Sequence, residues 1–113
     1  MRVYNLRNGK ELSNNVIVAD SPFKRMKGLL GRKEMQEGEA LWITPCFSIH
    51  TFFMRFPIDV VFLSKRNRVV ALINNIKPNR MTRLYLKATS VLELPSGTIE
   101  STATEIEDQI EII

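Results

Sequence analysis

The chain has 113 residues, of which 44% are hydrophobic and 25% are charged, and its net charge is +4. This balance excludes a disordered chain, and the length predicts a single domain over residues 1–113 with a core of its own. No run approaches the roughly 20 apolar residues of a membrane helix, the N-terminus does not resemble a signal peptide, and the lone Cys46 suits a reducing compartment, so we expect a soluble cytoplasmic protein.

The N-terminal part of the chain predicts short strands. Residues 3–6 and 15–19 are rich in β-branched and aromatic side chains, which favour strands. Asn8-Gly9 lies between them, and both of these residue types tolerate the positive φ angles of a tight hairpin turn. We therefore expect the chain to begin with a short strand and a tight turn, followed by another short strand.

One short helix is predicted near residues 22–31. Ser21-Pro22 is typical of a helix start, with Ser as the N-cap and Pro in the first turn. The apolar residues that follow recur at helical spacing and form one stripe: Phe23, Met26, Leu29 and Leu30. Gly31 is a natural C-cap, and Gly28 inside the helix suggests close packing against another backbone.

The rest of the chain predicts strands separated by turns. The predicted strands are residues 40–44, 58–63, 69–73, 91–94 and 106–113. Residues 58–63 form a near-continuous apolar run, as in a strand buried on both faces. Glu93 is expected to face solvent, and the alternative is that it pairs with a base on an inner surface. The fold class is therefore mainly β, borderline α+β: a small antiparallel-rich barrel or sandwich with one short helix.

Three segments carry a family resemblance. They are RMKGLLGR at residues 25–32, the stretch from Pro45 to Leu63 that contains SIHTFFM, and VLELPSG at residues 91–97. In this order they resemble the domain-of-unknown-function 192 family of small bacterial and archaeal proteins, over about residues 20–110. The chain departs from the family pattern at Glu107-Asp108, where relatives usually carry Gly-Asp. The resemblance implies a compact β-rich domain and no established activity.

Cys46, His50 and Asp59 are the most reactive residues of the apolar middle of the chain. A thiol or imidazole oriented by a carboxylate is the pattern of a small hydrolase-like enzyme that uses His50 and Asp59, with Cys46 as a further candidate. The simpler interpretation is a buried thiol and a structural histidine. The same trio would barely meet the three-ligand minimum of catalytic zinc, so we expect no metal and no cofactor.

A binding pocket is the alternative that we favour. If residues 49–56 are extended, both faces of the segment are largely apolar, and Asp59 must find a partner for its charge. His50 and Arg55 are the nearest candidates in sequence, and Trp42 offers an aromatic surface. These observations predict a small ligand-binding or accessory module with a site near residues 50–59. The candidate binding residues are Cys46, His50, Arg55, Asp59 and Trp42.

A third possibility rests on charge. Residues 1–87 carry all 16 basic residues and six acidic ones, a net charge of +10, whereas residues 88–113 carry six acidic residues and no basic one. A basic surface that binds nucleic acid or another polyanion would explain this. The simpler explanation is that the acidic segment folds back against the basic body. The sequence predicts neither the ligand nor the oligomeric state.

Overall fold

The computed structural model describes residues 1–113, which form two open β-sheets and two short helices. In chain order, the elements are β1 (Val3–Asn5), β2 (Glu11–Ser13), β3 (Asn15–Ala19), α1 (Pro22–Lys27), β4 (Glu39–Ile43), β5 (Ile58–Leu63), β6 (Val69–Ile76), β7 (Ser90–Pro95), α2 (Thr98–Ser101) and β8 (Ile110–Ile112). No barrel closes, and the sandwich-like, mainly β class predicted from the sequence is confirmed. Neither helix has the length and apolar character needed to cross a membrane.

The larger sheet has five strands in the order β3-β4-β7-β5-β6, and the smaller one has three in the order β2-β1-β8. β3 and β4 are parallel, and α1 lies in the connection between them. All other named pairs are antiparallel. Strands β5 and β7 are therefore central in the larger sheet, with neighbours on both sides.

The larger sheet is buried on both faces. One face packs against the small sheet and α2, and this core includes Val3, Leu94, Ile99 and Ile110. The other face carries a second core of 13 buried residues, among them Leu41, Ile43 and Val60. The loop after α1 and residues 46–56 cover this second face, to which they contribute Leu29, Ile49 and Met54. Each face of the sheet thus has its own hydrophobic core.

The predicted helix is shorter than expected. Ser21 caps it as predicted, its hydroxyl accepting from the Lys24 amide at 3.2 Å, but α1 ends at Lys27. Gly28 is the C-cap, with φ of 46°, so its role is a positive backbone angle and not the close packing we expected. No residue of α1 is buried, and the side chain of Met26 is among the most exposed apolar groups. The apolar stripe is therefore not a continuous buried helix face.

The acidic C-terminal segment does fold back against the basic body. Arg7 forms ion pairs with Asp108, at 2.6 Å from Nε, and with Glu105, at 2.8 Å. The Arg68 guanidinium donates to the carbonyl oxygen of Glu107 at 3.0 Å. The simpler explanation of the charge asymmetry thus holds for this part of the surface.

Candidate functional site

A cavity of about 110 Å³ opens on the face of the larger sheet that α1 and residues 46–54 cover. The α1 segment contributes Arg25 and the residues up to Leu30, and the end of β4 contributes Ile43. The chain after β4 supplies one wall, and β7 supplies Glu93. The residues that the chain after β4 contributes are Cys46, Ser48, Ile49, His50 and Met54.

Glu93 is the buried charge of this cavity. Its side chain points to the same sheet face as its cross-strand neighbours Leu41 and Val60, and the residue is only 4% exposed. The expectation that Glu93 faces solvent is therefore wrong, because β7 is a central strand with both faces covered. No group of the protein donates a hydrogen bond to the carboxylate. Burial without a partner raises the pKa of Glu93 to about 7.

Arg25 and Lys27 are the basic residues of α1 that line this cavity. The Nη1 atom of Arg25 donates to the carbonyl oxygen of Pro45 at 3.1 Å, which holds the guanidinium against the chain after β4. Its Nε is buried and has no acceptor. Arg25 and Glu93 form no ion pair with each other, although both line the cavity. The cavity thus holds an unpaired acceptor and an unpaired donor of opposite charge.

Cys46 is half-buried in the cavity wall. Its thiol lies 3.0 Å from the carbonyl oxygen of Ser48, to which it donates, and it makes no hydrogen bond to His50. Burial raises the pKa of the thiol, and the Ser48 contact, the negative charge of Glu93 and the positive charge of Arg25 act more weakly. A raised thiol pKa is the opposite of what an activated cysteine nucleophile requires.

His50 lines the cavity but is exposed to solvent. Its ring stacks on Phe52, with 5.0 Å between ring centroids, and its backbone forms a bridge with Met81. Residues 49–56 are not a continuous strand, and Phe53 has a φ of 66°. Residues 49–56 therefore do not form an extended segment with two apolar faces.

Asp59 lies on the opposite face of the sheet from Glu93. It is fully buried beside Leu94, and its carboxylate accepts from the backbone amides of Asn75 at 2.8 Å, Gly97 at 3.0 Å and Ile99 at 2.8 Å. The expected partners His50 and Arg55 form no hydrogen bond with it, because these three backbone amides occupy the carboxylate instead. The structure therefore does not join His50 and Asp59 in a catalytic pair.

The other two predicted residues lie away from the cavity. Arg55 is exposed. Trp42 packs against the core between the two sheets, and its indole nitrogen is buried without an acceptor. Of the five candidates, the structure brings Cys46 and His50 to the cavity. No three His, Cys, Asp or Glu side chains lie close enough together to hold a metal ion.

Sequence reasoning missed Arg25 and Glu93 as a pair. The signal for Glu93 was a lone charge between Leu92 and Leu94, in a predicted strand, residues 91–94, whose other three residues are apolar. Arg25 is one of three basic residues in the predicted helix over residues 22–31, and nothing in its spacing separates it from Lys24 or Lys27. Only the covering of the sheet by the chain after β4 brings the two charges to one cavity.

Fold and site together define a small two-sheet β protein with a charged cavity on the outer face of its larger sheet. The family DUF192, described as Uncharacterized ACR, matches residues 3–112, and the chain belongs to this family of unknown function. The resemblance drawn from three sequence segments is thereby confirmed.

Relatives and solved structures agree with this assignment. The chain is 35% identical to a UPF0127 protein of Pyrococcus furiosus over 112 residues, which are 95% of this chain and 94% of the relative. It is 37% identical to a UPF0127 protein of Pyrococcus horikoshii over 100 residues, 84% of each chain. A crystal structure of a protein of unknown function from Novosphingobium aromaticivorans superposes with a TM-score of 0.82 at 19% identity, covering 98% of this chain and 82% of that one. The last similarity shows the fold alone.

Proposed function

We propose that this protein is a small-molecule binding module whose ligand occupies the cavity between α1, residues 46–54 and Glu93. The observation that carries the proposal is the Glu93 carboxyl group, which is buried, lines the cavity and receives no hydrogen bond from the protein. Leaving a buried polar group without a hydrogen-bond partner costs about 1–3 kcal/mol, and more for a charged group. A hydrogen-bond donor on a ligand would offset that cost.

The composition of the cavity supports binding over catalysis. Apolar side chains such as Leu29, Ile43 and Met54 dominate its walls, and a few polar groups are set among them, as in typical ligand sites. The hydrolase alternative needs a hydrogen-bonded nucleophile and base. Cys46 donates to a backbone carbonyl instead, and the carboxylate of Asp59 is engaged by three amides on the other face.

A fragment screen followed by nuclear magnetic resonance tests this proposal. We expect at least one small molecule to shift the methyl signals of Ile43, Ile49 and Met54. Ser48→Phe, which fills the cavity from its wall, should abolish the shifts. The matched control is Ser101→Phe on α2, which packs against the other core and should bind as the unaltered protein does.

Two results would contradict the proposal. In the first, no fragment of a broad library perturbs these methyl groups. In the second, fragments bind, but Ser48→Phe and Ser101→Phe bind them equally, which would place the ligand elsewhere.

A second candidate function is binding of a polyanion such as nucleic acid. The supporting observation is that only three of the 16 basic residues, Arg2, Arg7 and Arg32, form ion pairs, so most of the positive charge is uncompensated. A cytoplasmic location is part of this second proposal, and it is supported by the single Cys46, which stays a free thiol in a reducing compartment.

Salt-dependent retention on heparin and on short DNA and RNA duplexes tests this second candidate. Neutralised phosphates release counterions, so the logarithm of the binding constant should fall linearly with the logarithm of salt concentration. Replacing Lys65, Arg66 and Arg68 in the exposed β5–β6 turn by Gln should reduce that slope. Elution below physiological salt, unchanged by the triple substitution, would reject it.

A further inference from the structure

We propose that the ligand of the Glu93 cavity is a small zwitterion of the amino acid type, with its ammonium group on Glu93 and its carboxylate on Arg25. This inference rests on the proposed binding function and adds the chemical class of the ligand. It depends on two unpaired groups of opposite charge that share one cavity and do not pair with each other.

The acceptor end of the site is the Glu93 carboxylate. Glu93 is held by β7 between β4 and β5, opposite Leu41 and Val60, so its backbone cannot move toward solvent. No protein donor reaches its oxygens. A protonated amine is the group that best satisfies such a carboxylate, because a charge-assisted hydrogen bond is about twice as strong as a neutral one.

The donor end is the Arg25 guanidinium. One of its terminal nitrogens is fixed on the Pro45 carbonyl oxygen at 3.1 Å, and the buried Nε–H has no acceptor. Guanidinium geometry matches a carboxylate, which can accept two parallel hydrogen bonds. Lys27 and the exposed His50 also line the cavity, and Glu93 is its only acidic lining residue.

The two ends share the cavity with the Cys46 thiol. Both the negative charge of Glu93 and the positive charge of Arg25 act on the pKa of Cys46, so both lie within electrostatic range of the same sulfur atom. They are nevertheless too far apart for a direct ion pair. A molecule in this cavity with an amine at one end and a carboxylate at the other would satisfy both groups.

The size of the cavity limits the ligand. Its volume of about 110 Å³ is several times the roughly 10–15 Å³ that one water needs and well below the roughly 300 Å³ of pockets for drug-sized molecules. Most of the other lining residues are apolar, with Ile43, Ile49 and Met54 among them. The site therefore fits a short aliphatic chain between the two charged ends.

Ligands with a single charge fit less well. A simple amine would satisfy Glu93 but leave the positive charge of Arg25 without a counterion. A simple carboxylate or phosphate would satisfy Arg25 but place two negative groups in one small cavity. Only a molecule with both charges removes both costs.

Calorimetric titration of the full chain with matched compounds tests the inference. The zwitterions are the straight-chain amino acids from glycine to 6-aminohexanoate and the aliphatic α-amino acids. The affinity of the tightest of them is compared with the affinities of three compounds of the same chain length: an amine without the carboxylate, a carboxylate without the amine, and an uncharged amide. We expect the zwitterion to bind at least about tenfold more tightly than any of the three, which corresponds to about 1.4 kcal/mol.

Two substitutions assign the ends. Glu93→Gln should remove the advantage of the zwitterion over the carboxylate, and Arg25→Met should remove its advantage over the amine. Their controls are the exposed Glu100→Gln and Arg66→Met, which should keep the full preference. If Arg25→Met or Glu93→Gln does not fold, the ranking of the four compounds by affinity for the unaltered protein decides whether the ligand is a zwitterion.

Each other outcome overturns the inference and reports separately on the binding function. Equal affinity for the amine and the zwitterion would make the ligand a simple cation, and equal affinity for the carboxylate would make it an anion. If no compound of the set binds while other fragments shift the Ile43, Ile49 and Met54 methyl signals, the ligand class is wrong and the binding function stands. If nothing binds at all, both are wrong.

Discussion

The Glu93 carboxyl group should make the free energy of unfolding depend on pH near neutrality. Its pKa is about 7 in the folded protein, against a usual value of 4.5. The folded state thus holds this proton more tightly than the unfolded state does. The stability that the protonated group provides is complete below about pH 4.5, and it is lost as the pH rises through about 7. The expected loss is about 3 kcal/mol, at about 1.4 kcal/mol for each unit of pKa.

Denaturant unfolding at about pH 5 and about pH 8, followed by fluorescence of the single tryptophan, Trp42, measures this loss. Glu93→Gln should show nearly the same stability at both pH values, since its side chain does not titrate. Glu100→Gln, an exposed carboxyl group, should behave as the unaltered protein does. Equal stability of the unaltered protein at both pH values would mean that Glu93 is not desolvated as the structure shows.

The burial of Glu93 could not be predicted from its own segment. In a strand with one wet face, a lone charge marks that face, because side chains alternate. β7 has apolar residues at both alternating sets of positions, and it lies between β4 and β5. Alternation therefore does not show which face the charge occupies or what lies opposite it. Cys46 and His50, in contrast, could be nominated from their chemistry alone, and both line the cavity.

At the scale of elements, Asp59 connects three parts of the fold. It is the second residue of β5, and its carboxylate holds the amide of Asn75 in β6 and the amides of Gly97 and Ile99 at the start of α2. Gly97 has no side chain to cap the helix, so the Asp59 carboxylate takes that role. This polar anchor is buried completely.

Asp59→Ala should therefore destabilise the protein by about 3 kcal/mol or more, because it leaves three backbone amides without an acceptor. Asp59→Asn keeps one acceptor oxygen of the same size and should cost less than the alanine substitution. Chemical denaturation of the two variants measures the difference. An alanine variant as stable as the unaltered protein would show that water replaces the carboxylate at no cost.

The elements themselves were predictable to different degrees. Residues 15–19 and 58–63 form strands with the predicted bounds, because their β-branched and apolar runs are bounded by polar residues. α1 ends earlier than its apolar spacing indicated, since Gly28 takes a positive φ and the chain leaves the helix there. β2 and α2 were missed, because segments of three and four residues are too short to show a period.

At the scale of the whole molecule, the acidic C-terminal segment and the basic body meet through one buried carboxylate. The Asp108 side chain is 5% exposed and accepts from Arg7 Nε at 2.6 Å, from the buried Asn5 side chain at 2.8 Å and from the Glu105 amide at 2.7 Å. The hydrogen bond from Arg7, above all, lowers the pKa of Asp108 to about 2, although burial opposes it. This contact attaches the segment before β8 to the turn after β1.

Asp108 and Glu93 should together give the protein a stability maximum in mildly acidic solution. A lowered pKa means that the contribution of Asp108 is present above its usual value of 3.8 and is lost as the pH falls through about 2. The contribution of Glu93 declines in the other direction, between about pH 4.5 and 7. Unfolding measured across this range should show a maximum near pH 4–5.

Asp108→Asn should lower stability and flatten only the acidic side of the profile, whereas Glu93→Gln should flatten only the neutral side. If Asp108→Asn left the acidic side unchanged, other carboxylates would control acid unfolding, and the contact with Arg7 would not anchor the C-terminal segment.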